Sequence, residues 1–164
     1  MKYLSILLLL ISANSCQTLK GMNEEPKCPE GYECYTEVED NMSINALEDT
    51  IGQTYLRSVS SKNSMVVKYI YKYKDNPMIA DAGYSEIIYF EIPKNLKELT
   101  LENSELSQVK LYIQKSCFCV GGGIEQILNG KLKLNKSKSA LTIDLEFDVE
   151  KDVKLSSLKT VIEL

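Results

Sequence analysis

Leu141, Ile143, Leu145, Phe147 and Val149 are apolar, and Thr142, Asp144, Glu146 and Asp148 between them are polar or charged. Strict alternation over these residues puts an apolar face and an acidic face on one segment, which is the signature of a half-buried strand. Weaker versions recur along the chain. Val67, Tyr69, Tyr71 and Tyr73 alternate with Lys68, Ile70, Lys72 and Lys74, with Ile70 breaking the pattern before Asp75-Asn76-Pro77 ends it. Residues 84–92 are dense in aromatic and β-branched side chains and stop at Pro93, and Val109, Leu111 and Ile113 alternate with Lys110, Tyr112 and Gln114. Only residues 96–106 leave room for a short helix. Asn129-Gly130 separates two apolar-rich segments, 124–128 and 131–134, and both positions tolerate positive φ, so the pair reads as a hairpin turn. Residues 135–139 then return the chain into the Leu141 strand, predicting a three-strand antiparallel meander over 124–149. The fold class is all-β, an antiparallel sandwich or closed barrel of about eight strands.

The amino terminus carries an address. Met1-Lys2 is a short positive start, residues 4–11 are an almost unbroken apolar run, and Ser12-Ala13-Asn14-Ser15 brings small residues up to Cys16. This is a secretory leader, too short to span a membrane as a mature helix. The cysteine after the small residues resembles the lipobox of bacterial lipoproteins. The resemblance implies cleavage after Ser15, acylation of Cys16 (palmitate among the chains) and attachment to a membrane through that lipid. By the same resemblance Gln17, standing where Asp often retains such proteins at the inner membrane, implies the outer membrane. Residues 16–27 then form the lipidated terminus and its tether, and 28–164 a single β-rich domain. Ten flexible residues would reach about 17–19 Å.

Cleavage would leave 149 residues, and loss of Lys2 takes the side-chain charge from −4 to −5. That acidity argues against a nucleic-acid partner. The chain has no His, which removes the usual ligand of zinc enzymes and the usual base of triad hydrolases. No cofactor, metal or catalytic constellation is expected, and an unidentified protein or glycan is the expected partner besides the membrane.

With Cys16 assigned to lipid, Cys28, Cys34, Cys117 and Cys119 remain, an even number that in an exported protein reads as disulfides. If the alternation of Val109, Leu111 and Ile113 continues, Cys117 and Cys119 share the apolar face, and a bond across one residue closes a strained small ring. Cross-pairing with Cys28 and Cys34 would be worth about 4.6 kcal/mol of loop entropy, against about 2.4 for a Cys28–Cys34 bridge. Connectivity stays open, but the four are expected to lie close together. Their spacing is a poor match to tetrahedral zinc. A redox or enzymatic role for Cys117 and Cys119 is the alternative function.

Other features have plain readings. Gly121-Gly122-Gly123 lacks the Lys-Ser/Thr and helix of a phosphate loop and reads as a bulge or strand corner. Ser85 and Glu86 have no His to complete a hydrolase. Four tyrosines in 69–84 are sheet residues before they are a sugar platform. Cys-Pro-x-Gly-x-x-Cys at 28–34, Gly-Tyr-Ser-Glu at 83–86, Cys117-Phe118-Cys119 before glycines and Gly-x-Leu-x-Leu at 130–134 together resemble a group of short Bacteroidetes-type lipoproteins. That resemblance implies the same address and no activity.

Overall fold

A computed structural model describes residues 28–74 and 83–164. The leader, Cys16, the tether and the Asp75-Asn76-Pro77 turn lie outside the described residues. The rest is a sandwich of two antiparallel sheets, not a closed barrel. The strands are β1 (Tyr32–Glu48), β2 (Thr54–Tyr73), β3 (Tyr84–Pro93), β4 (Glu98–Glu102), β5 (Tyr112–Cys117), β6 (Gly123–Gln126), β7 (Asn129–Lys136), β8 (Ala140–Asp148) and β9 (Ser157–Glu163). The first sheet runs β1-β2-β3-β5-β6 and the second β4-β7-β8-β9.

The β8 alternation survives intact. Leu141, Ile143, Leu145 and Phe147 are buried and meet Ile88, Phe90, Ile92 and Ile113 of the first sheet in one core. On the outer face, Asp144 and Glu146 stand opposite Lys133 and Lys131, and Lys159 pairs with Asp144 at 3.4 Å. Cross-strand opposite charges keep this face solvated and add modest stability.

Two local expectations are corrected. Asn129-Gly130 is no turn: β6 pairs with β5 in the first sheet, and residues 127–128 cross to the second, where Asn129 opens β7. Gly130 is needed for close approach. A Cβ there, at φ 142°, would stand 2.1 Å from the Glu146 carbonyl oxygen. The meander is therefore β7-β8-β9. Residues 96–106 hold β4 and the start of a 3-10 helix, Asn103–Val109, and the chain enters β5 only after Lys110 adopts φ 43°.

β1 and β2 outrun their neighbours. Between Asp40 and Met42 the register slips, while β2 inserts residues 61–64, and beyond this corner the two strands form an arm. The arm lies over the outward side of the first sheet. Ser43 Oγ and Ile44 N donate to Glu91 at 2.6 and 2.9 Å, Lys110 Nζ donates to Ser43 and the Ile44 carbonyl, and β2 touches β6. Ile44 and Val66 are buried as a result, and Ile70, the residue that broke the alternation, is buried on that same outward face.

Candidate functional site

The densest polar chemistry inside the fold lies at one end of the first sheet. The ladders bring Tyr32, Tyr73, Tyr84 and Cys117 into one row, and Cys34, Tyr71, Glu86 and Lys115 into the next. All these positions share the core-facing side with Tyr69, Ile88 and Ile113. Glu86 is fully buried and Lys115 nearly so.

Their partners explain how charge is tolerated there. Glu86 accepts the backbone N–H groups of Lys154 (2.5 Å) and Leu155 (2.8 Å) and the Tyr84 hydroxyl. Lys115 donates to the Asp152 carbonyl. Glu125, on the core side of β6, accepts from the N–H groups of Glu150 (2.7 Å) and Lys151 (3.0 Å). Three charged side chains of the first sheet thus hold the β8–β9 connection of the second. Among the described residues every fully buried side-chain nitrogen or oxygen has a partner, as a low-dielectric interior requires.

Tyrosines close this end. Tyr32 stacks on Tyr71 at 4.4 Å, and Lys154 Nζ sits 4.9 Å from the centroids of both Tyr32 and Tyr84. Burial, then the Tyr32 ring partner and the Glu86 charge, push the Tyr71 phenol up to about 12. Burial and the hydrogen bond to Glu86 push Tyr84 well above its ordinary value. Neither phenol supplies a base or nucleophile near neutrality. Tyr69 and Tyr71 are core residues, as the packing reading expected, and the stacked rings present no open sugar platform. Ser85 faces outward on β3, on the opposite side from Glu86.

The cysteines lie at this same end but pair locally. Cys28 joins Cys34 with Cα atoms 5.6 Å apart, and Cys117 joins Cys119 at 5.2 Å. The expectation of one close cluster is corrected. Cys34 and Cys117 lie three strands apart, about 14 Å at ordinary strand spacing, too far to bridge. Shared facing also fails, because β5 ends at Cys117 and Cys119 has turned into an exposed bend. The glycine run is the strand corner expected: Gly121 and Gly123 have φ of 86° and 118°.

Among the described residues the sandwich carries shallow clefts. One of about 580 Å³ lies beside Glu125, Asp148 and Glu150 at the tyrosine end, and one of about 560 Å³ beside Lys97, Lys136 and Lys138 at the other. Among the described residues no group of three His, Cys, Asp or Glu is placed to hold a metal ion, and no helix is long and apolar enough to cross a membrane. No family model, curated protein or solved structure matches the chain.

The buried Glu86 and Lys115 escaped sequence reading. Residues 84–92 carry Ile87, Ile88, Tyr89 and Phe90 in an unbroken run without a period of two, so the core-facing register of Glu86 becomes evident only when Ile88, Phe90 and Ile92 are assigned inward.

Proposed function

We propose that this chain is a lipid-anchored protein of the bacterial cell envelope, held at the outer membrane through Cys16, whose sandwich is a non-catalytic binding or structural module. Cysteine accounting carries the reading. The chain has five cysteines, four pair among themselves within the domain, and the fifth follows the apolar run and small residues of a leader. The internal charges support the non-catalytic part, because Glu86, Glu125 and Lys115 are each engaged in holding backbone. A protein or glycan is the partner this reading leaves to be identified.

Replacing Cys16 with Ser tests the anchor. The variant is expected in the soluble fraction or retained with its leader, while the parent sediments with outer-membrane density and carries an acylated N-terminal peptide. Unchanged fractionation and unchanged N-terminal mass would remove the reading.

A redox role is the second reading, favoured by the exposure of Cys119. In such a step a substrate dithiol becomes a disulfide while the Cys117–Cys119 bond becomes two thiols. Oxidation of a dithiol peptide no faster than by a Cys117→Ser/Cys119→Ser variant excludes it.

A further inference from the structure

The 117–121 bend holds the two most exposed apolar side chains among the described residues, Phe118 at 87% and Val120 at 99%. Their exposure follows from local covalent and backbone constraints. The Cys117–Cys119 bond pins the residues on either side of Phe118, and Gly121 and Gly123 at positive φ turn the chain sharply back into β6. Phe118 therefore has no neighbouring strand position to fold into. Behind the bend the sandwich is braced by Glu86, Glu125 and Lys115, so the tip is presented from a rigid base.

We propose that this bend is a second membrane contact, with Phe118 and Val120 entering the bilayer to which Cys16 tethers the chain. The proposal rests on the lipid-anchor reading. Its argument is where the tether enters the domain. Tyr32 opens β1 in the same row as Cys117, and Cys28 is bonded to Cys34 beside it, so the tether enters at the end of the sandwich that carries Phe118. Only eleven residues separate Cys16 from Cys28, and a chain of that length can span at most about 40 Å. The lipid holds this end, rather than the opposite one, next to the headgroups. Two apolar side chains alone bind a bilayer weakly, but a tethered contact becomes intramolecular and needs little affinity of its own. Exposed charges at this end are mixed, with Lys74 and Lys154 against Glu30 and Asp152. Insertion is therefore expected in neutral phosphatidylcholine without anionic lipid.

The chain contains no Trp, so one substitution introduces a unique probe. Phe118→Trp and Val120→Trp are each made in the full lipidated protein and reconstituted in phosphatidylcholine vesicles, with Val161→Trp, on β9 toward the opposite end, as the control. Indole emission at positions 118 and 120 is expected to shift to the blue and fall about twofold with brominated acyl chains, which sample the shallow depth interfacial side chains reach, while Val161→Trp changes in neither respect. In the soluble, leader-cleaved Cys16→Ser chain, which lacks the acyl anchor, Phe118→Ser is expected to weaken vesicle binding about tenfold. Vesicle flotation without quenching at 118 or 120 overturns the second contact and leaves the anchor standing. Loss of flotation in the native chain overturns the anchor; quenching of Phe118→Trp at millimolar lipid then keeps the contact, and its absence removes it. A blue shift without lipid, with doubled mass in sedimentation, shows a second copy covering the bend and also overturns the proposal.

Discussion

Truncating Glu86 to Ala should be among the most damaging single changes in this fold. The carboxylate is fully buried and receives two backbone N–H groups, from Lys154 and Leu155, and the Tyr84 hydroxyl. Removing it leaves both N–H groups facing a cavity, and an orphaned buried donor costs about 1–3 kcal/mol. Two such donors put the loss at about 2–6 kcal/mol, a large share of the roughly 5–15 kcal/mol that holds a domain of this size. With a urea slope of about 2 kcal/mol/M, the midpoint should fall by about 2 M. Glu86→Gln keeps one acceptor oxygen and should lose about half as much, and Tyr84→Phe, which removes a single donor, about 1 kcal/mol. Amide exchange at Lys154 and Leu155 should accelerate in Glu86→Ala more than at Ile143 in the core of β8. A midpoint shift below about 0.3 M, or unchanged exchange at those two amides, would show that the β8–β9 connection is held by something other than this carboxylate.

Other consequences can be checked separately. Gly130→Ala should cost about 3 kcal/mol or more and lower the melting temperature by about 10 °C, because its Cβ meets the Glu146 carbonyl and its φ is 142°; a melting temperature within a few degrees of the parent refutes that account. Under graded reductant, Cys117 and Cys119 should accept alkylating label before Cys28 and Cys34, since Cys119 is exposed whereas Cys34 packs against the core; simultaneous labelling contradicts it. In the untreated protein these four cysteines should not label at all. Free label on two of them, with no zinc bound, would promote the redox reading.

What the sequence made legible follows from how each strand is buried. β8 and the second half of β2 have one face in the core, so their side chains alternate and announce themselves. β1 and the first half of β2 escaped because the arm's pattern is short and mixed: Met42, Ile44 and Ala46 alternate with Ser43 and Asn45 for only five residues, and residues 54–60 put polar side chains on both faces. Ile44 is buried only through a long-range contact with Glu91, which no local pattern encodes. Asn129-Gly130 misled because the glycine that suits a turn also suits two backbones in close approach, and only the pairing with Phe147 distinguishes them. The alternation of Val109, Leu111 and Ile113 predicts a strand that continues through the cysteine pair, while the glycines after it mark the place where β5 must stop. Of the candidate site, the cysteines were visible and the Glu86, Glu125 and Lys115 braces were not, since their partners are backbone groups far away in sequence.

The arm should respond to acid on its own, and this follows from what its carboxylates hold. At the root of the arm, burial pushes the Glu91 carboxyl up, but hydrogen bonds from Lys110, Ser43 and the Ile44 N–H, with the Lys110 charge, outweigh it and leave Glu91 below its ordinary 4.5. Burial of Glu39 is likewise outweighed by Lys68 and Ser58, and the hydrogen bond from Lys94 holds Asp40 low. A carboxyl with a depressed folded value contributes stability above its unfolded value, and that contribution is lost as pH falls through the folded value. The arm is therefore expected to stay docked at neutral pH and loosen progressively below about 4.5. Amide exchange at Ile44, corrected for its intrinsic pH dependence, should rise relative to Ile143 as the pH is lowered from 6 to about 3.5. Glu91→Gln should remove much of that dependence by weakening the arm at every pH. If Ile44 and Ile143 lose protection in parallel, the arm is not a separately docked unit, and Glu91, Glu39 and Asp40 do not control it.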